Sequence, residues 1–253
     1  MSAHQTIYFN RLEVKYLVDR TTRTALIQDL AAFMRPDAHA GADGTYMVRS
    51  LYFDTPDYSA YSEKLAGAAV RHKLRIRAYG EDPGQVPLVR LEVKSRFLSY
   101  VRKTTVDIPR QDYAEIECAL KRRTLPPGYL FENDNTSLEF FRIQRQYNME
   151  PKILIQYRRQ AFERWEVNRT RVNFDDQLLA TRNLDLLGSL NGARRLLEHG
   201  HAIFEIKVDN TLPFWLHMLI AKYNLWNEAV SKYCYAVRSE ARNSARGRES
   251  AVV

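Results

Sequence analysis

The sequence predicts an α+β protein built on about eight long antiparallel strands, with about four or five helices. Three observations predict it. Glu-x-Lys recurs inside apolar alternation, as Glu13/Lys15 in RLEVKY, Glu92/Lys94 in RLEVKS and Glu205/Lys207 in FEIKV. The segment RHKLRIRAY sets Arg71, Lys73, Arg75 and Arg77 on alternate residues, hence on one face of a strand, with Val70, Leu74 and Ile76 on the other. No Pro/Gly/Ser linker or compositional break divides the chain, which reads as one domain over residues 1–240 and a polar, disordered tail over 241–253. Strands with one apolar and one charged face suit either an open sheet with a wet face or a barrel with a polar bore.

Residues 7–18 read as the first strand, with Leu12, Val14 and Tyr16 on one face and Arg11, Glu13 and Lys15 on the other. A helix is expected over 21–34, where Leu26, Leu30 and Phe33 share a side and Pro36 follows the end. YMVRSLYFD at 46–54 is a strand closed by the turn residues Thr55-Pro56-Asp57. Three strands follow at 69–79, 87–95 and 99–108, the first two joined through Glu81-Asp82-Pro83-Gly84. Helices are expected over 111–122, where Tyr113, Ile116 and Leu120 recur at helical spacing, and over 136–147. Strands at 151–164 and 166–175 suggest a hairpin, 180–200 fits no single pattern, and 201–209 is the last strand. Thr211 and Pro213 read as the cap and first turn of a helix, and a short helix is expected over 231–240.

The chain has 253 residues, 45% of them hydrophobic, enough to bury a sizeable core. Lys+Arg 38 against Asp+Glu 30 leaves a net charge of +8, which favours an anionic partner. Cys118 and Cys234 form no metal-type spacing and no disulfide framework, the start MSAHQTIYFN lacks an apolar signal stretch, and no apolar run is long enough to span a membrane. A reducing, cytoplasmic setting is expected.

Cations repeated along several strands suit a condensed phosphate chain. Each phosphate unit is negative, so binding needs many fixed cations rather than one pocket. Arg grips two oxygens with its planar fork, and Lys acts as a point charge. Tyr157 and Arg159 share a face of their strand, as do Arg171, Asn173 and Asp175 of the next, while Arg102 and Lys103 are adjacent and offer a cation to each face. The carboxylates Glu13, Glu92 and Glu205 either hold a divalent ion that bridges phosphate oxygens or balance neighbouring Lys and Arg. A solvated sheet face explains any single strand as well, but not the whole set. His72 falls on the apolar side of its strand and reads as a core or edge residue. No Ser-His-Asp or Cys-His arrangement is apparent. A nucleic-acid surface would put aromatics on the cationic face, where only Tyr79 and Tyr157 share parity with the cations.

With these residues in hand, the chain resembles the VTC domain within the triphosphate tunnel metalloenzyme (CYTH-like) superfamily, over about residues 8–238. The resemblance lies in RLEVKY at 11–16, SLYFDT at 50–55, KLRIRAY at 73–79, RLEVKS at 90–95, YRRQAF at 157–162, RVNFD at 171–175, FEIK at 204–207 and SKYC at 231–234. It implies an eight-stranded antiparallel barrel whose bore binds triphosphate or polyphosphate with Mn²⁺ or Mg²⁺. Carried over by motif, Lys15, Arg75, Arg77, Lys94, Arg159, Arg171, Lys207 and Lys232 become phosphate-contacting residues, with Arg71 and Lys73 as flanking candidates. Lys15, Arg75, Arg77, Arg159 and Arg171 become the catalytic set, and Glu205, with Glu13, the metal-holding carboxylates. Arg11 stands where the wider superfamily begins Glu-x-Glu-x-Lys, which resembles the VTC branch and argues against thiamine triphosphatase or adenylate cyclase activity. The implied activity is polyphosphate synthesis from ATP or another triphosphate. Tripolyphosphate hydrolysis and a non-catalytic polyphosphate or inositol-phosphate binding module are the alternatives. No nucleic-acid partner is expected, and a separately encoded membrane protein is a possible partner.

Overall fold

The computed structural model describes residues 2–8, 11–98, 100–125, 135–164, 169–228 and 230–249. In chain order the strands are β1 (Ser2–Tyr8), β2 (Arg11–Val18), β3 (Arg35–Pro36), β4 (Thr45–Asp54), β5 (Val70–Tyr79), β6 (Leu88–Phe97), β7 (Tyr100–Pro109), β8 (Glu150–Arg164), β9 (Thr170–Thr181), β10 (Arg194–Arg195) and β11 (Ala202–Asp209). The helices are α1 (Arg20–Leu30), α2 (Ser59–Ala66), α3 (Tyr113–Arg122), α4 (Asn135–Gln146), α5 (Phe214–Lys222) and α6 (Lys232–Glu249). The α+β class and its antiparallel strands are as the sequence predicts. No helix among the described residues is long and apolar enough to cross a membrane.

The chain packs as two compact units that interleave along the sequence. The first comprises Met1–Phe9, Arg49–Ile155 and Thr181–Ala193, the second Asn10–Val48, Gln156–Ala180 and Arg194–Val253. In the first unit β1, β7, β6 and β5 are neighbours in that order, and in the second β9, β11 and β2, while β4 and β8 carry residues of both units. Neither unit by itself is the closed eight-stranded barrel that the resemblance implies. The strand expected over 7–18 is two strands. β1 joins the first unit by pairing antiparallel with β7, and β2 joins the second by pairing with β11.

In the first unit the apolar faces of three strands pack against helices. Leu74, Ile76 and Ala78 of β5, Val89, Leu91 and Val93 of β6, and Val106 and Ile108 of β7 form one buried cluster with Ile116 and Leu120 of α3 and Phe140, Phe141 and Ile143 of α4. In the second, Tyr16 and Val18 of β2, Val172 and Phe174 of β9, and Phe204, Ile206 and Val208 of β11 pack on Leu26 and Leu30 of α1 and Leu216 and Leu219 of α5. Each fully buried large apolar side chain contributes about 1.5–3 kcal/mol, so these faces are fixed inward and the alternate residues are fixed outward. That is what aligns the charges.

Local signals account for several element ends. Asp19 caps α1 by accepting the Thr22 N–H at 2.7 Å. The buried Asp54 accepts the N–H groups of Thr55, Ala60 and Tyr61 at 2.7, 2.8 and 3.0 Å, which seats the start of α2, a helix the sequence reading did not expect. Thr211 does not cap α5; Pro213 takes that position, pre-set by its fixed φ. The last helix runs to Glu249 rather than ending near residue 240.

Candidate functional site

The predicted cations fall into two sets, one in each unit. In the first unit, β5, β6 and β7 are in a register that lines up their charged residues rung by rung. Arg75 faces Glu92, which faces Thr105; Arg77 faces Arg90, which faces Asp107. Lys73 faces Lys94, which faces Lys103. Three lysines thus cross three adjacent strands in one row, an arrangement that like-charge repulsion disfavours.

Glu92 is the hub of this face. It is buried, with Arg75 Nε at 2.5 Å, Lys103 Nζ at 2.8 Å and Arg77 Nη1 at 3.6 Å. Burial alone would raise its pKa, but Arg75, Arg77 and Lys103 outweigh that and hold the carboxyl well below the usual range. Arg77 also donates to Tyr79 Oη at 2.9 Å and to Ser50 Oγ at 3.4 Å. Burial pushes the Tyr79 phenol up, but the charges of Arg77 and Arg75 and the Arg77 hydrogen bond together outweigh it, so its pKa is lowered. Lys73 Nζ lies 4.8 Å from the centre of the Tyr52 ring, a cation–π contact. Arg90 grips Asp107 with two hydrogen bonds, at 2.5 and 2.9 Å.

Lys103 is a residue the sequence reading could not orient. It belongs to the charged face, whereas its neighbour Arg102 turns to the helix side and pairs there with Glu139. The signal lay in parity: Thr104, Val106 and Ile108 are buried, which leaves Lys103 on the opposite face. His72 is half-buried on the apolar side as expected, with Nδ1 2.8 Å from Ser95 Oγ and burial lowering its pKa.

In the second unit, β9, β11 and β2 align Arg171 with Lys207 and Glu13, and Asn173 with Glu205 and Lys15. Lys15 Nζ bridges the two candidate metal carboxylates, 3.0 Å from Glu13 and 3.2 Å from Glu205. Lys207 Nζ is 2.7 Å from Glu205, and Arg159 Nη2 is 3.8 Å away. Burial opposes ionisation of Glu205, yet Lys207, Lys15, Lys232 and Arg159 together hold its pKa well below normal. Burial also lowers Lys207, to about 8 against the pull of Glu205. Lys15 is raised, because Glu205 and Glu13 overcome its desolvation.

Asp175 is a second buried anchor that the sequence reading placed on this face without a role. It receives two hydrogen bonds from Arg159, at 2.6 and 2.8 Å, and Lys232 Nζ at 2.5 Å. Burial would raise Asp175, but Arg159 and Lys232 bring it down to about 2. Arg159 and Lys232 also lie over the Tyr157 ring, at 5.3 and 4.8 Å. Arg171 is held by the buried Asp37 at 2.5 Å. Asp37 accepts the His39 N–H with its other oxygen at 2.9 Å, so the strap after α1 fixes that guanidinium.

The fit to a divalent ion rests on the second set. Among the described residues no group of three or more His, Cys, Asp or Glu converges as a metal cage. Mg²⁺, however, is usually held by one or two carboxylates with substrate phosphates and water completing its shell. Glu205 and Glu13 supply two carboxylates. The buried Asn173 Oδ1 has no hydrogen-bond partner, while Asn173 Nδ2 is 3.3 Å from Glu205 Oε2. Two carboxylates and an orphaned amide oxygen form an all-oxygen donor set that suits Mg²⁺ or Mn²⁺. A cation shared by Glu13 and Glu205 competes with the Lys15 ammonium that now joins them.

The VTC domain family matches residues 10–240. The chain belongs to the VTC domain family. No curated protein matches it. Among solved structures, the VTC domain is similar to a Bacillus halodurans protein described as a candidate adenylate cyclase, at 16% identity and a TM-score of 0.50, over 89% of this chain and 95% of that one. A second protein so described, from Vibrio parahaemolyticus, is 13% identical with a TM-score of 0.46, over 88% and 95% of the two chains. The PH1819 protein of Pyrococcus horikoshii is 10% identical with a TM-score of 0.43, over 92% and 99%. The first likeness bears on the fold alone.

Proposed function

We propose that this VTC domain is an enzyme of triphosphate and polyphosphate chemistry that transfers phosphoryl groups with the help of a divalent ion, from a nucleoside triphosphate such as ATP to the end of a polyphosphate chain. The observation that carries the reading is the Lys73–Lys94–Lys103 row beside Arg75 and Arg77. Cations aligned on three strands gather positive charge on one face, which a polyanion lying across them would offset. Family membership supports action on triphosphates.

In this reading Arg75, Arg77 and Lys94 in one unit, and Lys15, Arg159, Arg171, Lys207 and Lys232 in the other, bind phosphate oxygens. The cations of the set that holds the reacting phosphate oppose the charge that spreads over the transferring group. Glu92 and Asp175 keep their arginines in place, so the guanidinium groups are oriented before substrate arrives. Glu205 and Glu13, with Asn173, would hold Mn²⁺ or Mg²⁺, which supplies charge neutralisation at bridging phosphate oxygens when bound. The attacking end of a polyphosphate chain is already ionised, so no strong general base is needed. Hydrolysis is the second reading, in which Glu13, whose side chain is more exposed than that of Glu205, would orient a water. Incubation with ATP and Mn²⁺, followed by gel analysis for long chains and free phosphate, tests both. Long chains support transfer, free phosphate alone supports hydrolysis, and neither product with bound polyphosphate leaves a binding module.

A further inference from the structure

The charged face of the first unit continues beyond the lysine row toward the β6–β7 turn. There Arg71 of β5 lies directly opposite Arg96 of β6. The inner rungs answer their cations with carboxylates, Glu92 for Arg75 and Asp107 for Arg90. Among the described residues no carboxylate forms an ion pair with Arg71 or Arg96, and Glu63 acts on Arg71 only at longer range while Arg96 opposes it.

Each arginine is nevertheless fixed. Arg71 Nη1 donates to the Ala68 carbonyl at 2.9 Å, and Arg96 Nε donates to the Leu98 carbonyl at 2.8 Å. A guanidinium carries five N–H donors in a rigid fork, so one bond to a carbonyl positions the group and leaves donors for an anion. Arg96 is exposed and Arg71 half-buried, so both can be reached. Two adjacent, positioned guanidinium groups with no ion-paired carboxylate among the described residues form a cradle for an anion with several oxygens.

The spacing says which anion. Arg77, Arg75, Lys73 and Arg71 occur at every second residue of β5. At about 3.4 Å per residue, the rungs from Arg77 to Arg71 span about 20 Å. Three linked phosphates anchored on Arg75 and Arg77 end before the outer rung, and a longer chain passes over the lysine row and reaches it.

We infer that the Arg71–Arg96 pair is an outer subsite for phosphate units beyond the third, which makes this face selective for long polyphosphate chains over triphosphates. The inference rests on the phosphate-handling reading above. Calorimetric titration with tripolyphosphate and with a narrow-range long-chain polyphosphate tests it, at about 0.15 M salt where loose surface attraction is largely screened. In the Arg71→Ala/Arg96→Ala variant the ratio of long-chain to tripolyphosphate affinity should fall about tenfold or more, the scale of one or two charge-assisted hydrogen bonds. The Arg71→Lys/Arg96→Lys variant should recover part of that ratio. An unchanged ratio overturns the subsite, whether the two affinities fall together or neither moves. A parent protein that binds neither anion overturns the functional reading and the subsite with it, whereas a parent that binds both, with the ratio preserved in the variant, overturns the subsite alone. Should the double variant lose cooperative unfolding, Arg96→Ala at its exposed position carries the same comparison.

Discussion

Glu92→Gln removes one charge from the centre of three cations and keeps the shape of the side chain. The Glu92 side chain is 2% exposed, while those of Arg77, Arg75 and Lys103 are 10%, 18% and 33% exposed. At an effective dielectric constant near 20, each unit pair at about 4 Å is worth about 4 kcal/mol before desolvation. Desolvation of the carboxylate cancels several kcal/mol of the sum, and the exposure of Lys103 screens its share. Removing one partner of a buried pair typically costs about 3–5 kcal/mol, and the lower end, about 3 kcal/mol, is expected here. Urea unfolding at pH 7 should show a lower midpoint with unchanged slope. The folded carboxyl sits well below its ordinary value of 4.5. Its stabilising effect is therefore fully present above about pH 4.5 and is lost as pH falls through the depressed folded value, and the variant should lack that part of the acid dependence. The same substitution should tighten tripolyphosphate binding, because three cations lose their internal partner. A loss under about 1 kcal/mol, the scale of an exposed ion pair, would refute the hub.

Glu205→Gln should abolish Mn²⁺-dependent turnover while polyphosphate binding, followed by calorimetry, is retained or tightened; unchanged turnover would reduce Glu205 to charge balance for Lys15 and Lys207. Arg77→Ala should weaken tripolyphosphate binding by about 1.5–3 kcal/mol, measured at about 0.15 M salt. Arg75→Ala should weaken it similarly and also lower the unfolding midpoint. Simple crowding of cations predicts that this removal relieves repulsion, but the contact of Arg75 with Glu92 at 2.5 Å reverses the sign. Lys103→Ala should lower affinity with a smaller stability cost than Arg75→Ala, since its side chain is a third exposed.

Alternation made much of this legible. The apolar half of β5 could only face inward, so Arg75 and Arg77 were bound to share the outer face, and the structure places them against Glu92. What alternation cannot carry is pairing between distant segments. Nothing near Arg171 in the sequence announces Asp37, and nothing near Asp175 announces Lys232, because these partners meet only through the fold. The two compact units were invisible for the same reason: each collects three separated stretches, so no linker marks the boundary. β1 was missed because its polar alternation, SAHQTIY, gains strand character from pairing with β7 rather than from an apolar face of its own. The helix α2 was missed because the signal that seats it is the Asp54 side chain, which the pattern had assigned to the end of a strand.

The Glu-x-Lys repeat shows how far a motif can be pressed. In the second unit two copies pair antiparallel, so Glu205 meets Lys15 and Lys207 meets Glu13, and the repeat neutralises itself. There the bland reading, charge balance on a sheet face, accounts for the motif, and the ligand argument rests on Asn173 Oδ1, which that balance leaves without a partner. In the first unit the same motif meets a different partner. Glu92 finds Arg75, but Lys94 finds Lys73 on one side and Lys103 on the other. A sheet selected only for stability would turn that rung into alternating signs, since opposite charges across strands gain what like charges lose. The register, not the motif, therefore separates a wet face from a face built for an anion, and the lysine row is where substitution should separate binding from folding most cleanly.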